Sequence, residues 1–279
     1  GCIVRTGFYA QAVLERVQAD NGVVYYRSRQ LLETGVPHAF STRIGGVSAG
    51  PFVSLNLGNP SGERRDPWDN VLENYRRLFH AIGIAPRQRL SCHQVHGRVV
   101  QVFHGGDWPE PQPQGDAIVT DDPTVVATVR VADCVPVLLS SRDGRLVSAV
   151  HAGWRGVVGG VLPAALETMV RLGVDRRDIL AAIGPSIGMG AFEVGPEVVG
   201  AFVAVFPRPS LLCDLPGGKA RLDLRGALAW QLQQLGVPET QVDTTDRCTF
   251  RDADEFFSHR RDRGITGRMS AVIAPRERR

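Results

Sequence analysis

Two apolar runs separated by a polar turn set the terms for this chain. Val135-Pro136-Val137-Leu138-Leu139 precedes Ser141-Arg142-Asp143-Gly144-Arg145, and Val147-Ser148-Ala149-Val150-His151-Ala152 follows. An Asp-Gly pair between such runs is the strongest short-range signal for a β-hairpin. With Asp143 and Gly144 as the two loop residues, Arg142 opposes Arg145, Pro136 opposes His151 and Cys134 opposes Gly153. Side chains alternate along a strand, so Cys134 and His151 become diagonal neighbours on one face, roughly 7–8 Å apart at the backbone. A thiolate and an imidazole so placed can converge on one ion or on each other. Pro136 has no N–H to give a ladder, which predicts an edge strand or a bulge there.

The rest of the chain supplies strands and helices in irregular alternation. Val23 to Tyr26 and Pro37 to Thr42 predict short strands, the second running into the Gly45-Gly46 turn. Asp66 as N-cap and Pro67 at the first helical position open a helix. Val71, Leu72, Tyr75, Leu78, Phe79 and Ile82 form its 3.6-residue stripe, His80 lies on its exposed side, and Gly83 closes it. Gln88 to Phe103 predicts one long strand or two short ones, followed by a Pro/Gly-rich loop from 105 to 115 that suits a lid. Residues 116–120 and 124–131 are further strands. A buried helix spans 157–172, kinked at Pro163 or starting later because of it. Strand 179–184, a helix from Pro196, a helix capped by Asp223 and ended by Gly236, and a last strand from Met269 to Ala274 follow. No composition shift or internal repeat divides residues 1–279, and no regular βαβ rhythm appears. The expected class is therefore α+β: a single domain of mixed β-sheets packed with flanking helices.

Charge and cysteine usage narrow the class further. A net charge of +3 is too slight to argue for nucleic acid, and no nucleic-acid-binding signature is present. The Arg260–Arg263 and Arg276–Arg279 clusters carry interspersed acid and read as solvated surface and tail. Five scattered cysteines, an odd count, predict free thiols in a reducing compartment. No apolar run is long enough for a membrane span and no secretory signal pattern opens the chain, so cytoplasmic is the expected location, with no membrane partner.

Among seven histidines, His93 and His96 lie three apart, so a regular strand offers only one of them to a given site. His96, before Gly97, is the better placed, because the glycine admits close approach to the backbone. If His96, Cys134 and His151 converge, two nitrogens and one sulfur suit zinc with an open fourth position, the pattern of a catalytic rather than a structural site. Zinc would hold Cys134 as thiolate and bring the pKa of a bound water to about 7. Without metal, Cys134 and His151 make a nucleophile–base pair. Arg155 stands where a strand gives way to a helix, a place that favours an anion such as phosphate, and Arg43 beside Gly45-Gly46 is a second anion candidate. Glu193 is a conceivable proton carrier. Asn56, turned away from Leu55 and Leu57 by the alternation, completes the substrate-binding set of Arg43, Asn56, Arg155 and Glu193.

Taken in order, the motifs Phe40-Ser41-Thr42-Arg43 with Gly45-Gly46, Gln94-Val95-His96-Gly97, Asp116-Ala117, Ala132-Asp133-Cys134 with Pro136, His151-Ala152-Gly153-Trp154-Arg155-Gly156, Gly184-Pro185-Ser186-Ile187 and Phe192-Glu193-Val194-Gly195 form one pattern. Phe257-Ser258-His259-Arg260-Arg261-Asp262 with Thr266-Gly267-Arg268 completes it. The chain resembles the bacterial purine nucleoside phosphorylase family of YlmD and YfiH type, once labelled multicopper polyphenol oxidase or laccase-like. The resemblance runs from about Pro37 to Ala274. It implies zinc held by His96, Cys134 and His151; by donor chemistry alone the same two imidazoles and thiolate would also take a single Cu2+. It also implies phosphorolysis of adenosine, inosine and 5′-methylthioadenosine, with phosphate as co-substrate, plus adenosine deamination. Two positions depart from the family pattern: His259, where a tyrosine is expected, and His93, where relatives carry a non-ligand residue.

Three other readings compete, one of them a non-catalytic zinc module for partner binding, against which an open coordination position speaks. A multinuclear copper oxidase needs many imidazoles, typically in His-x-His pairs, and seven histidines with no such pair are too few. A metal-free cysteine hydrolase acting on amide or cell-wall precursor bonds would use Cys134 and His151 alone.

Overall fold

The strand sequences Val125–Val131, Val135–Ser141 and Met269–Ile273 are buried along nearly their whole length. A strand apolar at successive positions needs cover on both faces, and the chain provides it by stacking two sheets between helices. The computed structural model describes residues 13–84, 87–206 and 209–277. Cys2, Arg278 and Arg279 lie outside the described residues.

In chain order the strands begin with β1 (Glu15–Gln18), β2 (Val24–Arg27), β3 (His38–Ser41), β4 (Gln88–Leu90) and β5 (Val100–Phe103). Next come β6 (Ala117–Thr120), β7 (Val125–Val131), β8 (Val135–Ser141), β9 (Val147–Ala152) and β10 (Ile179–Ile183). The last are β11 (Glu193–Val194), β12 (Leu212–Asp214), β13 (Ala220–Leu222), β14 (Val242–Asp243) and β15 (Met269–Ile273). The helices are α1 (Arg29–Glu33), α2 (Trp68–Ala81), α3 (Trp154–Gly159), α4 (Val161–Arg171), α5 (Pro196–Val203) and α6 (Leu224–Gln234).

One six-stranded sheet has the order β1-β2-β3-β15-β7-β4 and the other β14-β10-β8-β9-β6-β5, with β11-β13-β12 as a small third sheet. Both large sheets mix parallel and antiparallel pairs. Alternation assigns each side chain to a layer. Val129, Met269 and Ala271 meet Leu138, Ala149 and Ile118 between the sheets. Val137, Leu139 and Val150 face the other way, onto Leu162, Leu166 and Leu228 of the helices. Val126 and Val272 turn outward onto Val71, Tyr75 and Leu78 of α2. The layers are thus helix, sheet, sheet, helix. This is the α+β single domain of mixed sheets and flanking helices that the sequence predicted.

The hairpin holds the predicted register, with Pro136 opposite His151 and Val137 opposite Val150. Its loop differs. Ser141 N–H donates to the Leu146 carbonyl at 2.8 Å, so four residues turn the chain, and only Gly144 takes a positive φ, 70°. The Asp143 carboxylate accepts from Ser141 Oγ and Arg145 N–H, which holds the longer loop. Pro136 is neither on an edge strand nor at a bulge, because β8 lies between β9 and β10. Its carbonyl accepts Gly184 N–H at 2.9 Å, and ladder pairing to β10 begins at Val137, so the missing donor falls where the neighbouring strand has ended.

Other expectations shift by small amounts. Pro67, not Asp66, occupies the N-cap of α2, and the Asp66 carboxylate instead accepts from Asn56 Nδ2 and Asn70 Nδ2. Gly160, at φ 83°, divides 157–172 into two helices, with Pro163 in the first turn of the second. The 88–103 stretch is two strands with a loop between. The 105–115 loop is pinned rather than lid-like: Trp108 Nε1 donates to the Ser91 carbonyl at 2.9 Å and Gln112 Nε2 to Ser91 Oγ at 2.8 Å. Cys92, Cys134 and Cys248 are free thiols, whereas Cys213 is disulfide-bonded, against the expectation that every thiol is free. No helix among the described residues is long and apolar enough to cross a membrane.

Candidate metal centre

Two connections cross from the first large sheet to the second at the same end of the sandwich. The longer joins β4 to β5 and carries His96; the shorter, Ala132-Asp133-Cys134, joins β7 to β8. His151, near the end of β9, points into the space between the sheets at that end. One ligand atom each from His96, Cys134 and His151 lie within 4.8 Å of one another. The two imidazole rings meet edge to face, with centroids 4.9 Å apart.

Backbone strain and a buried carboxylate fix this arrangement. His96 adopts a left-handed φ of 60°, unfavourable for a residue with a side chain. Asp116, fully buried, offsets that cost by accepting the N–H groups of His96 and Gly97, both at 2.9 Å, and of Val95 at 3.3 Å. The same carboxylate accepts His151 Nδ1–H at 2.8 Å, which turns Nε2 toward Cys134 as the atom that would coordinate a metal once deprotonated. One aspartate therefore orients both imidazoles, in the carboxylate–histidine pattern that supports metal ligands.

Asp133 plays a matching part beside Cys134. It too is left-handed, at φ 89°. Its carboxylate accepts Thr249 Oγ1–H and Arg260 N–H, each at 2.7 Å, and its carbonyl accepts Ile187 N–H at 2.9 Å. Gly153 completes the set by absence: a Cβ there would lie 2.8 Å from His96 Cδ2 and 3.1 Å from Cys134 Sγ. The opposition of Cys134 to Gly153 expected from the hairpin is thus where the ligands find room.

In the absence of metal the electrostatics describe a thiolate–imidazolium pair backed by a carboxylate. Burial alone would raise the Cys134 thiol, but His151 and His96 beside it pull it down into thiolate. Burial would lower His151, yet the Cys134 thiolate and the Asp116 carboxylate hold it well above the ordinary histidine value. Burial would raise Asp116, and His151 with the surrounding N–H donors keeps it ionised. Two nitrogens and a thiolate in a half-buried pocket, with one ring oriented by a carboxylate, match a zinc or single-copper donor set with a coordination position left open to a cavity.

That cavity has a volume of about 760 Å³, in the range of small-ligand sites. Cys134, His96 and His151 line it, as do His93 and His259, whose rings have no hydrogen-bond partner among the described residues. Arg65, Arg130, Arg260 and Arg268 face it as well, together with Trp68 and Phe192. Burial lowers the pKa of Arg268, a cost that the Cys134 thiolate partly relieves.

The structure brings His96, Cys134 and His151 together and leaves the other candidates outside the cavity lining. Arg43 lies over Phe257 and donates to the carbonyls of Val53 and Ala253. Asn56 is buried one layer behind the wall, where its Oδ1 accepts Arg268 N–H at 2.9 Å. Arg155 stacks on Trp154, and Glu193 pairs with Lys219 at the surface, though its carbonyl holds Arg260 Nη1. Sequence reasoning did not pick Asp116, Asp133 or the cavity arginines as site residues. Asp116 gave one usable signal, a carboxylate heading the otherwise apolar strand Ala117-Ile118-Val119. Arg260 and Arg268 gave only their places in the last motif, and Arg65 and Arg130 gave none, because their convergence depends on loops remote in sequence.

Residues 37–276 match the family described as multi-copper polyphenol oxidoreductase laccase. The described residues hold a single cluster with metal-ligating geometry, fewer ligands than a multinuclear copper centre needs. The chain is 43% identical to a purine nucleoside phosphorylase of Deinococcus radiodurans over 85% of its length and 88% of the relative's. It is 42% identical to the purine nucleoside phosphorylase YfiH of Escherichia coli, over 86% of this chain and 93% of that one. The crystal structure of YlmD from Geobacillus stearothermophilus superimposes with a TM-score of 0.83 at 32% identity, covering 96% of this chain and all of that one.

Proposed function

The chain belongs to the laccase-domain family of YfiH and YlmD type, and from that premise we propose that it is a zinc-dependent purine nucleoside phosphorylase. Its substrates in this reading are adenosine, inosine and 5′-methylthioadenosine, with adenosine deamination as a second activity of the same cavity. The observation that carries the proposal is the meeting of the His96–Cys134–His151 cluster with guanidinium groups that pair with no carboxylate among the described residues, in the lining of one cavity.

Phosphorolysis needs an anion held against the ribose C1′ and a proton delivered to the departing base. Arg130, Arg268 and Cys134 line the same cavity, and neither guanidinium pairs with a carboxylate among the described residues. Arg130 is steadied by the Cys92 carbonyl and Arg268 by those of Thr266 and Gly267, so both enter with fixed orientation. Such preorganised cations bind phosphate and stabilise charge that builds during transfer. His93 and His259 are the available proton carriers for the purine leaving group, and Phe192 offers a face for the base. Zinc held by His96, Cys134 and His151 would supply Lewis acidity toward an oxygen of the substrate or of water. Asp116 and Asp133 keep the three ligands in place and exclude other geometries.

The test is adenine release from adenosine with and without phosphate, in wild type and Cys134→Ala, alongside measured zinc content. Phosphate-dependent release that disappears together with zinc in the variant supports the reading. Turnover that survives exhaustive removal of metal overturns it in favour of Cys134 and His151 as nucleophile and base.

A further inference from the structure

Gly58 is a glycine for lack of room rather than for conformational freedom. It is buried, and its backbone lies outside the left-handed region. A Cβ there would lie 2.8 Å from Arg130 Cδ, closer than real carbon atoms approach, but 3.5 Å from Arg268 Cβ and Cγ, an ordinary contact. Both arginines line the metal cavity, whereas Gly58 is not part of that lining. The glycine thus packs against the stems of two cavity side chains without meeting the ligand space itself.

The sheet register explains why the two stems run together. Arg130 pairs with Ser270 where β7 meets β15, and Arg268 stands two residues before Ser270. Alternation carried one residue past the end of β15 puts Arg130 and Arg268 diagonally across one face of the sheet. The main chain around Gly58 is stitched to Arg268. Leu57 N–H donates to the Arg268 carbonyl at 3.0 Å, and Asn56 Oδ1 accepts both Arg268 N–H at 2.9 Å and Gly58 N–H at 3.2 Å. Gln94 holds the Arg130 backbone, with Oε1 accepting its N–H and Nε2 donating to its carbonyl, both at 2.8 Å.

Holding two cations side by side is unfavourable in itself. Burial, and then the neighbouring Arg130 charge, disfavour the Arg268 cation. A pair so placed, with no carboxylate bonded to either guanidinium among the described residues, favours a bound anion.

We infer that Gly58 is a positioning residue for phosphate: its missing side chain lets Arg130 lie alongside Arg268, and the Asn56 amide holds the Gly58 and Arg268 backbones together. The identity of the anion rests on the phosphorylase reading; the packing of both arginines on Gly58 does not. Gly58→Ala should weaken phosphate binding, and raise the KM for phosphate, by about tenfold or more, the effect of misaligning one charge-assisted contact. The KM for adenosine and the far-UV circular dichroism should stay at wild-type values, because the atom that must give way belongs to a flexible side chain rather than to the backbone.

The experiment is titration calorimetry with inorganic phosphate, together with phosphate-dependent adenine release from adenosine, on wild type, Gly58→Ala, Arg130→Ala and the double variant. Arg130→Ala removes the crowded Cδ, so adding Gly58→Ala to it should weaken phosphate binding no further. A general loss of stability would not give that non-additivity. Equal phosphate affinity in wild type and Gly58→Ala overturns the proposal, as does a fully additive loss in the double variant, or a wild type that binds no phosphate. Phosphate binding that follows the expected pattern without phosphorolysis of adenosine would end the phosphorylase reading and leave the role of Gly58 standing.

Discussion

Asp116 and His151 are joined twice: the aspartate Oδ1 accepts the ring Nδ1–H at 2.8 Å, and its carbonyl accepts the His151 backbone N–H at 2.7 Å. The ring is thereby fixed in position by the one residue that precedes β6. The loop that carries His96 hangs from the same carboxylate.

Asp116→Asn keeps the shape but replaces a carboxylate oxygen by an amide that cannot accept every one of these donors. The expected outcome is a loss of about 10–100-fold in metal affinity, the usual effect of removing such a supporting partner. Competition with a chromophoric chelator measures it. Wild-type affinity in the variant would show that the carboxylate does not orient the ligands.

Gly153→Ala places a methyl where His96 and Cys134 meet, at 2.8 and 3.1 Å. The fold should survive, because Gly153 has an extended backbone that any residue adopts, φ −74° and ψ 172°. The ligand cluster must shift, so zinc content after dialysis should fall while far-UV circular dichroism stays unchanged. Full zinc occupancy would refute this account of the glycine.

At Asp133 two variants separate backbone strain from lost hydrogen bonds. Asp133→Gly removes the contacts to Thr249 and Arg260 but relaxes freely at φ 89°. Asp133→Ala removes the same contacts and keeps the left-handed penalty, so it should be less stable than the glycine variant by about 1 kcal/mol. Urea denaturation of the pair decides it; equal midpoints would mean that the strain is absorbed elsewhere.

His38 makes stability depend on pH away from the candidate metal centre. Its Nε2 accepts Ser28 N–H at 2.9 Å and its Nδ1–H faces the Val36 carbonyl at 3.0 Å, an arrangement only the neutral ring can make. Burial lowers its pKa to about 4, from the ordinary 6.5. The folded state thus binds fewer protons than the unfolded one between those values, and stability is lost as pH falls through that window. The full loss is about 3 kcal/mol. His38→Gln should flatten the pH profile of the denaturation midpoint between pH 6.5 and 4. An unchanged slope in the variant would assign the dependence to other groups.

The candidate ligands Cys134 and His151 were legible early because hairpin pairing is local: once Pro136 opposes His151, the placement of Cys134 beside Gly153 follows from a period of two. The Asp143-Gly144 signal located the turn correctly even though four residues, not two, make it. His96 was found as a residue but misplaced as a conformation, since valines on both sides suggested a strand where the chain forms a loop. The substrate set of Arg43, Asn56, Arg155 and Glu193 was chosen for nearness to glycine turns and helix starts. Those local features say nothing about which way a long side chain reaches once sheets have stacked.

By itself the sequence determined the alternation that buries both faces of the central strands, the register of the hairpin and the family of the chain. These follow from residue period and from ordered motifs, which need no knowledge of distant contacts. Only the tertiary structure decided that two connections cross between the sheets at one end, bringing Asp116 under both imidazoles and four arginines around a single cavity. Those meetings join residues far apart in the chain, and the packing of sheet on sheet, rather than any local propensity, sets the distances between them.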